Sequence, residues 1–115
     1  MSSNVAGLLA YILWFVTGII FLVIEPYKND KFVRFHAFQS IFYSAAVIVL
    51  WTVYIIAASI LTFVSLGILA MVMGMVGLLI WLAVLAYWIF LMYKAYNHEL
   101  YKIPFIGDLA AKQIA

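Results

Sequence analysis

The sequence predicts an all-α, polytopic membrane protein of one domain, with three transmembrane helices, a cytoplasmic interfacial helix and a short C-terminal helix. The first observation is composition, since hydrophobic residues make up 70% of the 115-residue chain and charged residues only 9%. Soluble domains contain about 45–50% apolar and about 25% charged residues, and a soluble fold of this size could not hide so much apolar surface. The second observation is two long uncharged stretches, and the third is the grouping of all basic residues outside them.

The first predicted span covers residues 5–24. These residues carry no charge and match the roughly 20 residues that a helix needs to cross the hydrocarbon core. Glu25 and Pro26 end the helix, because proline cannot continue a helix and disfavours helical geometry in the residue before it.

The following segment, residues 25–37, is predicted to be a cytoplasmic loop that contains the interfacial helix. Asn29 or Asp30 can cap this helix, because short polar side chains accept hydrogen bonds from free backbone N–H groups. The helix would lead into the second span and direct Lys31 and Arg34 at lipid phosphates.

The second uncharged stretch runs from Ala37 to Tyr93. It would form roughly 85 Å of helix against a hydrocarbon core of about 30 Å, so two crossings and a turn fit. Gly67 can supply the turn, which predicts a second span at about 38–64 and a third at about 68–93.

The remaining residues, 94–115, are predicted to form a cytoplasmic tail. Pro104 is expected to stop the third helix, because proline lacks the backbone donor that a helix interior needs. Asp108 can then cap a short final helix that carries Leu109 and Lys112.

The basic residues predict the orientation of the chain. All six Lys and Arg side chains fall in the predicted loop or tail, and none falls near the N-terminus or in the turn at Gly67. Because positive residues are retained on the cytoplasmic side, we expect a cell-membrane protein with its N-terminus outside and its C-terminus in the cytoplasm. A count of two or four spans would split the basic residues between both faces.

Several functional classes are disfavoured by what the chain contains. The three predicted spans hold no Asp, Glu, Lys, Arg or His, whereas ion-coupled transport generally uses such groups inside the membrane. The chain has no cysteine, and its net charge of +2 is too small for a nucleic-acid surface. We therefore expect no enzymatic activity, no cofactor and no nucleic-acid partner, with the lipid bilayer as the surroundings.

Two site chemistries find little support in the residue pattern. His36, Ser40 and Glu25 are residue types of a hydrolytic triad, but the glycine pattern of a nucleophile elbow is missing. His36, His98 and Glu99 could in principle hold a metal ion, but they lack the short spacing typical of metal ligands. The sequence therefore predicts neither catalytic residues nor a metal site.

Small residues recur along the predicted third helix at steps of 3, 4 and 3, so they share one face. Such a face lets another helix backbone approach closely, either within the three-helix unit or in a homo-oligomer. The residues predicted to serve helix packing are Gly67, Ala70, Gly74 and Gly77.

Polar side chains at the cytoplasmic face form the candidate functional or structural motif. His36 faces Ser40 one helical turn later, so a hydrogen bond between them is expected. Arg34 offers five fixed donors, which suit a lipid phosphate, the carboxylate of Glu25 or Asp108, or the carbonyls of the tail. Two interpretations are open: a structural clasp of loop, second helix and tail, or a binding site for a partner or lipid. The full set is Arg34, Phe35, His36, Gln39, Ser40, Lys94, Pro104 and Gly107.

The stretch from Lys31 to Ser40, KFVRFHAFQS, resembles the phenylalanine–arginine–phenylalanine–histidine–alanine–x–glutamine–serine signature of the Tic-twenty-like membrane proteins. That group includes chloroplast inner-envelope import subunits and small prokaryotic membrane proteins, and the MamF-type magnetosome proteins are similar. Further matching pieces are residues 9–11, 94–96 and 103–107. The chloroplast members have four helices, whereas three are predicted here. The resemblance implies a helical, self-associating membrane protein.

Two functional hypotheses follow. The first is a non-enzymatic membrane assembly or interaction protein that acts as a homo-oligomer or as a subunit of a membrane complex. The alternative is an oligomeric channel, or a component of protein translocation or transport, in which several copies or a partner supply the polar lining.

Overall fold

The computed structural model describes residues 2–24 and 27–114. These residues form a body of 55 × 22 × 21 Å, in which the regular structure is α helix with a 3-10 turn at Tyr27–Asn29, and there is no strand in the described ranges. The prediction of an all-α fold is therefore confirmed. The α helices are α1 (Ser3–Ile12), α2 (Phe15–Val23), α3 (Lys31–Val64), α4 (Ala70–Tyr96) and α5 (Ile106–Ile114).

Two helices of the described ranges, α3 and α4, are long and apolar enough to cross a membrane. The prediction of three transmembrane helices is therefore wrong. α3 begins at Lys31 because Asp30 caps it, accepting hydrogen bonds from the backbone N–H groups of Phe32 at 2.9 Å and Val33 at 3.4 Å. The predicted loop residues 31–37 are thus the first turns of α3, and among the described residues between α2 and α3 only the 3-10 turn Tyr27–Asn29 is helical.

The predicted first span is divided into α1 and α2, which fold back on each other. Along α1, Ser3 donates to Asp30 at the start of α3, and Tyr11 reaches His36. α2 then returns towards the start of α3, where Phe21 packs edge-on against Tyr27. We call residues 3–23 the N-terminal hairpin. Each arm extends about 15 Å or less, roughly half of the hydrocarbon core.

The hairpin reverses at Leu13 and Trp14, where Trp14 adopts φ 59° and ψ −129°. Irregular backbone inside a membrane needs hydrogen-bond partners from the protein, and three side chains provide them. Thr17 Oγ1 donates to the carbonyl of Ala10 at 3.0 Å, Ser40 Oγ to the carbonyl of Trp14 at 2.8 Å, and Trp88 Nε1 to the carbonyl of Tyr11 at 2.6 Å. The break is therefore built by residues of α3 and α4 as well as its own.

The hairpin changes the position of the N-terminus. Asn4 Nδ2 donates to the carbonyl of Tyr96 at 2.9 Å, at the end of α4 where the tail begins. The start of α1 and the start of the tail therefore lie at the same end of the molecule. The predicted orientation, with the N-terminus outside and the C-terminus in the cytoplasm, stays a prediction.

The turn between α3 and α4 lies at the far end of the molecule. The backbone N–H of Gly67 donates to the carbonyl of Thr62 at 2.8 Å, and that of Leu66 to the carbonyl of Phe63 at 3.1 Å. This pair of bonds is the Schellman arrangement that closes many helices. Leu66 at φ 56° and Gly67 at φ 89° both lie in the left-handed region.

The tail starts earlier than Pro104. α4 ends at Tyr96, where Asn97 Nδ2 donates to the carbonyl of Tyr93 at 2.8 Å and His98 takes φ 60°. The expectation that Pro104 stops this helix is therefore wrong, since the reversal after Tyr96 already ends it. Pro104 instead precedes α5, and Asp108 lies in the first turn of α5 rather than before it.

Candidate functional site

A buried cluster of three polar side chains lies where the N-terminal hairpin, α3 and the tail meet. It consists of Tyr11 from α1 and of His36 and Gln39 from α3, all fully shielded from solvent at 0% exposure. His36 and Gln39 share one side of α3 because they are three residues apart. We call Tyr11, His36 and Gln39 the polar cluster.

His36 is bonded through both ring nitrogens. Its Nε2 lies 2.9 Å from the carbonyl oxygen of Glu99, and a carbonyl can only accept, so Nε2 carries the hydrogen. Nδ1 of the neutral ring then accepts from the hydroxyl of Tyr11 at 2.6 Å. The rings of Phe32 and Phe35 meet His36 edge-on, at centroid distances of 4.7 and 5.2 Å. One tautomer in one orientation satisfies all these contacts.

Gln39 ties the hairpin and the tail to α3. Its Nε2 donates to the hydroxyl of Tyr11 at 2.8 Å and to the carbonyl of Tyr101 at 3.0 Å. Its Oε1 accepts from the backbone N–H of Ile103 at 3.0 Å. The amide thus holds the non-helical part of the tail, between α4 and α5, against α3.

The cluster is chemically closed. Every buried side-chain nitrogen and oxygen in the described ranges has a hydrogen-bond partner. The expected bond between His36 and Ser40 is wrong, because Ser40 Oγ points to the hairpin break instead. With His36 held by Tyr11 and a backbone carbonyl, the triad of His36 and Ser40 is not assembled, and Glu25 lies outside the described residues. This arrangement fixes three segments in place.

Arg34 lies beside the cluster at the surface. Its Nη1 donates to the carbonyl of Lys28 at 3.0 Å, and its guanidinium lies 5.4 Å from the centre of the Phe38 ring. Asp108, one of its two expected carboxylate partners, is instead 3.7 Å from Lys102 Nζ. Phe35, one residue on, is buried.

The predicted tail residues support the path of the tail. Lys94 Nζ pairs with Glu99 at 3.0 Å, across the reversal after α4. Pro104 is exposed, and its carbonyl accepts from the N–H of Ile106 at 2.8 Å. A Cβ on Gly107 would lie 2.5 Å from the Cα of Lys102, so this close approach requires glycine.

The four small residues predicted for helix packing are placed differently from one another. Gly77 is buried, and a Cβ there would lie 2.6 Å from the hydroxyl of Tyr54 in α3. Gly67 belongs to the turn, so the predicted stripe does not start on a helix. Ala70 and Gly74 are exposed, and a Cβ on Gly74 would have no atom within 4 Å.

His36, His98 and Glu99, the three residues considered as metal ligands, each make other contacts. The ring of His98 stacks on Phe32 at 4.8 Å, while His36 uses both nitrogens within the polar cluster and Glu99 pairs with Lys94. Among the described residues there is no group of three or more His, Asp or Glu side chains that could hold a metal ion.

Sequence reasoning missed the partners that the hairpin contributes. Tyr11 and Thr17 lie inside the predicted first span, and their hydroxyl groups were the signal that this stretch needs polar partners. Gly18 was also missed. A Cβ there would lie 2.9 Å from the carbonyl oxygen of Ala37, so α2 packs directly on the backbone of α3.

The sequence is similar to known proteins over nearly its full length. The family model described as the magnetosome magnetite crystal formation protein family, MamF/MmsF, matches residues 1–110. A UPF0132 membrane protein of Archaeoglobus fulgidus is 40% identical over 99% of this chain and 97% of its own length. Two UPF0132 membrane proteins of Methanocaldococcus jannaschii are 41% and 33% identical, over 96% and 97% of this chain and 86% and 70% of their own lengths.

No solved structure matches the chain. The wider resemblance to the Tic-twenty-like proteins stays a prediction, since the matching relatives carry the UPF0132 and MamF/MmsF names. A family match over nearly the full length, together with relatives named as membrane proteins, agrees with the apolar helix pair α3 and α4. The chain is a membrane protein and belongs to the magnetosome magnetite crystal formation protein family.

Proposed function

We propose that the protein is a non-enzymatic assembly protein of the cell membrane, which self-associates through the part of α3 and α4 that the N-terminal hairpin leaves uncovered. We call this part the outer half; it comprises residues 48–64 of α3 and 70–83 of α4. The observation that carries the proposal is its lack of internal cover. None of the 18 most apolar consecutive residues of α3 is buried within the chain.

The outer half contains a groove that suits a helix from a second copy. Its volume is about 540 Å³, and its walls include Trp51, Tyr54 and Trp81 with Gly74 at the edge. Because Gly74 has open space beside it, another backbone can approach there without displacing a side chain. Close approach at small residues favours helix association in lipid, where the hydrophobic effect between helices is absent.

The polar cluster supports a structural role for the cytoplasmic motif. All of its donors and acceptors are used to hold α1, α3 and the tail together, which leaves no free acid, base or nucleophile at that place. A rigid end of this kind suits a subunit that presents a fixed surface to copies of itself.

The same end carries the basic residues. Lys28, Lys31 and Arg34 lie just before α3 or in its first turn. Lys94 lies in the last turn of α4, and the other two lysines follow that helix. By the positive-inside tendency, we propose that this end, with both chain termini, lies in the cytoplasm. The turn at Gly67 then lies outside.

The family description concerns magnetite crystal formation. We carry it to this chain only as far as organising a membrane, because the described residues hold no His, Asp or Glu group of metal-binding size. The proposed kinship with the Tic-twenty-like proteins is compatible with the same role.

The test uses cysteine crosslinking, because the chain has no cysteine of its own. In a two-fold symmetric dimer, equivalent residues near the axis face each other, so Gly74→Cys should form a disulfide-linked dimer in membranes under mild oxidation. Ala86→Cys, an exposed position beyond the outer half on the same helix, is the matched control. Gly74→Leu should reduce the oligomer to monomer in mild detergent while the monomer stays folded.

A monomeric wild-type protein in detergent and in liposomes, with Gly74→Cys crosslinking no better than Ala86→Cys, would contradict the proposal. Selective, saturable flux through liposomes that contain the purified protein would favour a channel or translocation component instead.

A further inference from the structure

We propose that the cavity between α3, α4 and the tail binds one hydrocarbon chain of a membrane phospholipid, whose anionic headgroup contacts Lys102. The cavity lies on the side of the helix pair where the tail packs, and its volume is about 400 Å³. This volume is in the range of sites for small molecules. The inference goes beyond self-association, because the residues that line this cavity are not those that line the groove at Trp51, Tyr54 and Trp81.

The wall of this cavity is mostly aliphatic, which suits a hydrocarbon chain. α3 contributes Val47 and Leu50, α4 contributes Ile80, and the tail contributes Ile103 and Ile106. The sequence alone did not indicate a cavity here, because the wall from α3 and the wall from the tail are far apart in the chain. Leu50 and Ile103, for example, are separated by more than fifty residues.

Two tyrosines also line the cavity, but their hydroxyl groups are already bonded. Tyr43 donates to the carbonyl of Val84 at 2.8 Å, and the hydroxyls of Tyr87 and Tyr101 lie 3.0 Å apart. The hydroxyl groups of the wall thus already take part in hydrogen bonds within the chain, and the other lining side chains are apolar. An apolar chain would lose nothing on entering.

The surroundings decide which apolar molecule meets the opening. The cavity lies between α3 and α4, the two helices that can cross the membrane, so its open side faces lipid. An empty apolar space forfeits the dispersion contacts of its lining atoms, and a lipid chain is the molecule at hand to restore them.

Charge complementarity selects the headgroup. Lys102 directly precedes Ile103 of the cavity wall, and its Nζ is 3.7 Å from Asp108 with both side chains largely exposed. An exposed ion pair of this kind contributes little, so the ammonium group remains available to a phosphate. Lys94 is held more closely by Glu99, at 3.0 Å. The tail as a whole has three lysines and two acidic residues, a net charge of +1.

The experiment is native mass spectrometry of the full-length protein, released from mixed dioleoyl phosphatidylglycerol and dioleoyl phosphatidylcholine. We expect retained phosphatidylglycerol. Ala83→Phe places a ring in the cavity opening and should displace the retained lipid, whereas Ala86→Phe, exposed on the same helix but outside the cavity wall, should not. Ala46→Phe narrows the cavity from α3 and serves if Ala83→Phe fails to fold.

A charge arm separates headgroup from chain. Lys102→Gln should lower the preference for phosphatidylglycerol over phosphatidylcholine about fivefold, the factor that corresponds to about 1 kcal/mol for one lysine near an anionic surface. Lys112→Gln, about 9 Å further along α5 than Ile106, should leave it unchanged. Equal retention of the two lipids, or retention unaffected by both cavity-filling variants, would overturn the proposal. Self-association is read from crosslinking at Gly74 and lipid binding from retained phosphatidylglycerol, so either proposal can fail while the other holds.

Discussion

Replacing Gln39 by leucine tests whether the polar cluster clasps the tail to the helices. Leucine has a similar size but no polar atom, so the change removes three hydrogen bonds at once. It leaves the carbonyl of Tyr101 and the N–H of Ile103 without their partner. Ile103 is only 5% exposed, so water cannot replace the lost bond unless the tail moves away.

The expected loss follows from these two backbone groups. Leaving one buried donor or acceptor unsatisfied costs about 1–3 kcal/mol, so we expect Gln39→Leu to lower the free energy of unfolding by about 2–6 kcal/mol. Gln113→Leu makes the same chemical change at an exposed position of α5. A surface change of this kind should stay within about 0.5 kcal/mol of the wild type.

Denaturation in mild detergent, followed by tryptophan fluorescence, measures the difference between the two variants. Trypsin supplies a second reading, because undocking of the tail exposes the peptide bond between Lys102 and Ile103. We expect faster cleavage at that bond in Gln39→Leu than in Gln113→Leu. Equal stability and equal cleavage rates in the two variants would refute the clasp.

Two further changes test the N-terminal hairpin. Ser40→Ala removes the bond to the carbonyl of Trp14 and should lower the free energy of unfolding by about 1 kcal/mol; no measurable loss in detergent would mean that the bond does not hold the break. Gly18→Ala should destabilise the protein by about 1–3 kcal/mol, because the new methyl group overlaps the carbonyl of Ala37. Gly74→Ala is its control, since the space beside Gly74 is open, and thermal unfolding of both variants should separate them.

The long helices and their ends were predictable because their signals are local. An unbroken apolar run marks α3 and α4. Asp30 belongs to the residue types that cap helices, and Gly67 lies where the chain reverses. The short α5 was likewise expected in the tail. Each of these features depends on residues within one or two turns of each other.

The hairpin was not predictable in the same way. Hydropathy shows that residues 5–24 form an apolar stretch long enough to cross the membrane. It does not distinguish one crossing helix from two short helices that fold back on each other. No glycine or proline marks the break at Trp14. Its hydrogen-bond partners Ser40 and Trp88 lie far along the chain, so only the tertiary structure satisfies the reversed backbone.

The candidate site was predictable in its chemistry but not in its contacts. His36, Gln39 and Ser40 stood out as polar residues at the start of an apolar helix. The helical spacing of His36 and Ser40 predicted a bond between these two, whereas His36 and Gln39 bond to Tyr11 and the tail. Once α1 packs on this side of α3, burial requires every polar atom to find a partner, and the partners come from the hairpin.

The most direct test of the account is the side of the membrane on which the N-terminus lies. Single cysteines at Ser3, Ser65 and Gln113 can be labelled with a membrane-impermeant maleimide in sealed, oriented vesicles, because the chain has no other cysteine. The hairpin predicts that Ser3→Cys and Gln113→Cys react from one side and Ser65→Cys from the other. Labelling of Ser3→Cys from the same side as Ser65→Cys would show that the first apolar stretch crosses the membrane, and the hairpin would be contradicted.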